Sequence, residues 1–296
     1  MSDFYSRLRR APRNRTRLLL SQASAGLAKA ANALEKPGFI SKSERALLAR
    51  NARFSDIHVG TRAFVVGNGP SLQRQDLSRL AGERLFVVNG FWRNPGLAKQ
   101  PTAICLADPL WFEENALLEE EIASMRAVAT TGDFFLPTWG KAAAEARGLF
   151  PHDRAFYCKF YDSMETAEGF EFDLTGPIPA VQSVSQFAIL VALYMGCNPI
   201  YLIGMDHDWL SSPSVAITHF YDPDENAPNT GDSVDHGQTY GQNLEAVAKL
   251  WRGYGNLRRV ATDNGRQIIN ATDGGFLDVF ERAPYDSLFD LRDQVT

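Results

Sequence analysis

The sequence predicts an α/β fold: a Rossmann-like, mostly parallel sheet with helices on both faces, preceded by an N-terminal helical extension. Three observations carry this expectation. Short apolar, β-branched runs recur along the chain, and each ends in polar or glycine-rich residues. Segments of helical spacing separate those runs, which is the pattern of a sheet built from β-α-β units. The 296 residues, 45% of them hydrophobic, suffice for one large core.

Residues 15–35 and 42–54 have helix-forming composition and are separated by Pro37-Gly38. Residues 1–58 therefore read as a helical, basic extension and 59–296 as the Rossmann-like domain. The first strand is Ala63-Phe64-Val65-Val66, followed by the turn Gly67-Asn68-Gly69-Pro70-Ser71, and helical spacing resumes over 76–80. A second strand, 85–88, ends at Asn89-Gly90; a third, 103–106, ends at Ala107-Asp108. A helix is expected over about 109–125, a strand over 127–130, a helix near 139–147 and a strand near 155–158. The clearest helix runs from Ser183 to Met195, where Val184, Phe187, Ala188, Val191, Tyr194 and Met195 share one face and Gly196 supplies the C-cap. Residues 199–203 make the next strand and run into Gly204-Met205-Asp206-His207-Asp208. The polar stretch 211–238 is expected to form a long lid loop. A helix over about 239–262 and a last strand over 267–270 complete the pattern.

Composition narrows the function classes. A formal net charge of −5 argues against nucleic-acid binding. Cys105, Cys158 and Cys197 follow no metal-ligand spacing and suit buried free thiols in a reducing compartment, so a cytoplasmic protein without disulfides is expected. The longest apolar run, near 187–195, is too short to span a bilayer. The first twenty residues carry Arg7, Arg9, Arg10, Arg13, Arg15 and Arg17 against the single acid Asp3. Such a start fits peripheral contact with an anionic membrane surface; a solvated helix face is the plainer reading. Self-association is left open.

The chemistry-bearing residues cluster at strand ends, where open α/β sheets bind ligands. Gly67 and Gly69 permit close backbone approach, and a helix start beyond Ser71 offers N–H groups to phosphate. The loop lacks the Gly-Lys-Ser/Thr of a Walker A motif and the spacing of a dinucleotide fingerprint, so phosphate binding would rest on backbone N–H groups, helix ends and Asn68. Asn89 and Asp108 are candidates to hydrogen-bond a sugar or base, or are ordinary turn residues. Ser183 is a candidate N-cap and, in the same position, a neighbour of phosphate. Asp206 and Asp208 resemble the paired acids with which many glycosyltransferases hold Mg²⁺ or Mn²⁺; a purely hydrogen-bonding Asp206 is the alternative. His219 and His236 are candidate general bases, because the ordinary histidine pKa near 6.5 suits proton acceptance at neutral pH.

The order and spacing of these motifs, from Phe64 to Leu72, Val87 to Phe91, Leu106 to Asp108, Ser183 to Gly196 and Ile200 to Asp206, resemble one superfamily. It joins archaeal 6-hydroxymethylpterin diphosphokinases, motility-associated flagellin glycosyltransferases and bacterial lipooligosaccharide sialyltransferases. The resemblance covers about residues 60–275. It implies that Gly67, Asn68, Gly69, Pro70, Ser71, Asn89, Asp108, Ser183 and Asp206 surround a nucleotide donor, with Asp108 standing where the sialyltransferases have Asn. It also implies lid tyrosines, Tyr221 or Tyr240, on the departing phosphate and a base at His219 or His236. The implied reaction is inverting transfer of a nonulosonic acid from a CMP-linked donor to a bacterial surface glycan or lipid-linked acceptor, without a metal cofactor. An ATP-dependent diphosphokinase using Mg²⁺ and a nucleotide-binding module without turnover are the alternatives.

Overall fold

The computed structural model describes residues 40–94, 97, 101–208 and 239–290. The expected helix over 15–35, the arginine-rich start and the 211–238 stretch lie outside them. Among the described residues nine strands form one sheet: β1 (Ala63–Val66), β2 (Arg84–Val88), β3 (Ala103–Cys105), β4 (Asp133–Pro137), β5 (Ala155–Ser163), β6 (Pro177–Ala180), β7 (Ile200–Ile203), β8 (Ile268–Asn270) and β9 (Glu281–Arg282). Their spatial order is β6-β5-β4-β3-β2-β1-β7-β8-β9, and every pair is parallel.

The helices are α1 (Lys42–Leu48), α2 (Ala116–Val128), α3 (Lys141–Ala146), α4 (Val184–Tyr194) and α5 (Tyr240–Asp263). Successive strand residues point to opposite faces, so one strand feeds two cores. Ala63, Val65, Phe86 and Val88 pack with α4 and α5 on one face. Phe64, Val66, Leu85 and Val87 pack with Leu118, Ile122 and Met125 of α2 and Ala144 of α3 on the other. That double burial is why the strands read as continuous apolar runs rather than alternating ones.

Several expected elements are placed differently. Residues 127–130 do not form a strand: Ala127 and Val128 finish α2, and the strand is Asp133–Pro137, where Phe134 and Leu136 face one core and Phe135 the other. The single helix expected over 109–125 is two pieces. Asp108 caps a 3-10 turn over Pro109–Phe112, and Asn115, accepting from the Leu117 N–H, caps α2. Strands β6 and β9 were not anticipated. β6 carries Pro177 and Pro179, which sequence reasoning treats as strand breakers. It lies at the edge of the sheet, and the alternate spacing of the prolines puts both missing N–H groups on one side.

The segment before β1 packs on the sheet. Phe54 meets Phe135 at 5.1 Å and Phe156 at 4.5 Å, both edge-on. Asn51 is fully buried, its Nδ2 donating to the carbonyls of Tyr157 (2.8 Å) and Leu174 (2.7 Å). α4 shows one apolar stripe in sequence, yet residues 185–194 are buried on all sides, between the sheet and α5. Among the described residues no helix is long and apolar enough to cross a membrane.

Candidate active site

The sheet order runs outward in one direction from β1 to β6 and in the other through β7 to β9, so it reverses between β1 and β7. A crevice at the carboxyl ends of the strands is expected at such a reversal. Both loops flagged in the sequence, Gly67–Ser71 and Gly204–Asp208, leave the sheet there.

The two loops are locked together. The N–H of Gly67 donates to the Ile203 carbonyl (2.8 Å) and that of Gly69 to the Gly204 carbonyl (2.9 Å). Pro70–Arg74 is a 3-10 turn whose first free N–H, that of Ser71, donates to Asp206 Oδ1 (3.1 Å), while Ser71 Oγ donates to Oδ2 (2.7 Å). The anion at this helical start is thus the protein's own carboxylate. Burial pushes the Asp206 pKa up, and the two bonds from Ser71 oppose that shift.

The glycines serve this closure. A Cβ on Gly67 would lie 2.2 Å from the Gly204 carbonyl oxygen, and one on Gly69 would lie 1.7 Å from Asp206 Oδ2. Their smallness is required by loop meeting loop, where sequence reasoning invoked close approach to a ligand. Likewise, the N–H groups of Gly67, Gly69 and Ser71, expected to be offered to phosphate, already have partners within the protein.

Asn68 is different. It is 8% exposed, and its Nδ2 donates to the carbonyl of Val88 (3.2 Å), which fixes the amide orientation. Its Oδ1 is buried with no hydrogen-bond partner among the described residues. An unsatisfied buried acceptor costs about 1–3 kcal/mol and calls for an explanation. Beyond Val88, Asn89 adopts a left-handed backbone (φ 41°), a conformation asparagine tolerates better than most side chains, and its Oδ1 accepts from the Trp111 indole N–H (3.3 Å). Asp108 Oδ1 accepts from the Leu110 N–H (3.0 Å) at the next strand end. The carboxyl ends of β7, β1, β2 and β3 therefore carry, in spatial order, Asp206, Asn68, Asn89 and Asp108.

A second network joins α4 to the same edge. Ser183 caps α4, its Oγ accepting from the Ser185 N–H (3.2 Å). The hydroxyl of Tyr254 in α5 is near Ser183 and Ser185 and lies 2.7 Å from Nε2 of His207. His207, one residue beyond Asp206, is buried with φ 49°, and burial lowers its pKa to about 3. It is neutral at physiological pH and far too weak a base to take a proton from an acceptor.

In the sequence His207 stands out only within its acidic triplet, and the position of Tyr254 in α5 carries no motif. Tyr240 opens α5 behind a capping box formed by Thr239 and Gln242, is 59% exposed, and stands outside both networks. His219, Tyr221 and His236 lie outside the described residues.

Fold and site together define a parallel α/β protein whose candidate site lies at the carboxyl ends of the strands beside the reversal of strand order. No protein-family model and no curated protein matches the sequence. Two solved structures are similar to it. The sialyltransferase CST-II in complex with CMP is 18% identical over 76% of this chain and 87% of that chain, with a TM-score of 0.46. The MAf glycosyltransferase from Magnetospirillum magneticum AMB-1 is 15% identical over 94% of this chain, with a TM-score of 0.43; the match spans 45% of that protein.

Proposed function

We propose that the chain is a glycosyltransferase that holds a nucleotide sugar, with a CMP-linked nonulosonic acid as the favoured donor, across the strand ends from Asn68 to Asp108. The unpartnered Oδ1 of Asn68 carries this reading. It is an acceptor aligned beside Asn89 and Asp108, and a ligand rich in O–H and N–H donors would satisfy it. The motif resemblance supplies the donor chemistry and the inverting course. A base, for which the sequence offers His236 or His219, removes the acceptor proton as its oxygen attacks the anomeric carbon; the bond to the phosphate oxygen breaks and CMP departs. Tyr221 or Tyr240 would support the leaving phosphate.

The reaction is proposed to need no metal. Both oxygens of Asp206 are engaged by Ser71, so the first acid of the triplet is ill placed to serve a cation. The diphosphokinase alternative loses the same acid.

Thermal-shift measurements with CMP, UDP, ATP and GDP, each with and without Mg²⁺ or Mn²⁺, test the proposal. Stabilisation by CMP without metal is expected. Stabilisation by ATP only in the presence of metal would overturn it.

A further inference from the structure

One aromatic side chain on the site's edge of the sheet has no part in either network. β4 ends at Pro137, and Thr138–Gly140 turn the chain into α3. Trp139, in the middle of that turn, is 50% exposed. Its ring meets Phe112 at 5.0 Å with an interplanar angle of 75°. Phe112 is itself buried and belongs to the turn that Asp108 caps. Gly140 is fitted to the same contact, since a Cβ there would lie 2.5 Å from two carbons of the Phe112 ring. The indole is therefore seated firmly against the turn after β3 while half its surface stays open. Its N–H has no protein partner among the described residues.

Position adds to this. Trp139 follows the carboxyl end of β4, one strand beyond Asp108 and three strand spacings, about 14 Å, from the end of β1. Leu117, 44% exposed in the first turn of α2, stands at the same edge, because α2 begins soon after the chain leaves β3. A rigid, half-open indole with a free N–H offers an apolar surface and one donor, which matches a pyranose ring: C–H groups on one face, hydroxyls around the rim.

We infer that Trp139 is the platform on which a pyranose ring of the acceptor glycan stacks, beyond a donor lying over Asn89 and Asp108. The inference rests on the glycosyltransferase reading for the identity of the acceptor. The stacking itself can be measured without turnover.

Wild type, Trp139→Ala and Trp139→Phe would each be titrated with lactose, maltose and cellobiose by isothermal calorimetry, and separately with CMP by thermal shift. At least one disaccharide is expected to bind wild type, with affinity falling about tenfold in Trp139→Ala and staying within about threefold in Trp139→Phe. CMP stabilisation is expected to be equal in all three. Equal disaccharide binding by wild type and Trp139→Ala, or no binding of any of the three sugars to wild type, overturns the platform. Failure of CMP to stabilise wild type would instead count against the donor reading, so the two failures are distinguishable.

Discussion

The β1–β7 junction and the β1–β2–β3 flank carry similar polar residues, and on the flank Asn89 and Asp108 also have partners, but Asn68 sets the two regions apart. At the junction Ser71 is closed on Asp206, Gly69 on Gly204 and Gly67 on Ile203. On the flank, Asn68 donates with one end of its amide and leaves the other unpaired inside the protein. A polar residue at a strand end is thus equally able to seal two loops or to wait for a ligand. What separates the two cases is whether its hydrogen-bonding capacity is already filled.

That contrast can be broken most forcefully at Gly69. Gly69→Ala would drive a methyl into Asp206 Oδ2 and release both bonds from Ser71, so chemical denaturation should show a loss of about 4 kcal/mol or more. A change under about 0.5 kcal/mol would mean that the junction is loose and the loops are not locked.

The next effect depends on pH. The folded-state pKa of His207, about 3, lies below its ordinary 6.5, so its contribution is present above pH 6.5 and lost as pH falls toward 3. Stability should fall by about 1.4 kcal/mol per pH unit from this one group in that window, and by about 3 kcal/mol at pH 4. Denaturation of His207→Gln across pH 4–7 should lack that component; an unchanged slope would show that His207 is hydrated.

Asp206→Ala leaves the Ser71 N–H and hydroxyl without their acceptor and should cost about 2 kcal/mol. The Asp206 pKa is raised in the folded protein, so the sign is opposite to that for His207. Its contribution is fully present below its ordinary value of 3.8 and declines as pH rises through the folded value. The stability of wild type relative to Asp206→Asn should therefore decrease as pH climbs from below 3.8, then level off.

The smallest stability change belongs to the flank. Asn68→Ala removes one bond, to Val88, and should cost about 1 kcal/mol or less, while CMP affinity falls about tenfold or more. Equal CMP affinity in the variant would place Asn68 with the sealing residues.

The parallel sheet was legible in the sequence because strands buried on both faces must be apolar at every position. Ala63–Val66, the buried part of β2 from Leu85 to Val88, and Ile200–Ile203 show this plainly. The same logic failed at 127–130, where alanine and valine suit a helix end equally well, and at β6, where two prolines are tolerated only because the strand lies at an edge. The capping role of Ser183 was readable too, since a short polar side chain ahead of a helix bonds to its first turn locally; Asp108 was read only as a sugar- or base-bonding or turn residue, and it caps the 3-10 turn after β3.

Contacts between distant segments were not readable, because sequence spacing says nothing about which loop end meets which. Gly69 and Asp206 are far apart in the chain, and their fit depends on β7 being inserted beside β1. The pairing of His207 with Tyr254 and the seating of Trp139 on Phe112 arise in the same way. The sequence located the polar residues at the strand ends; the folded arrangement determined which of them are satisfied by one another, and so which remain open to a substrate.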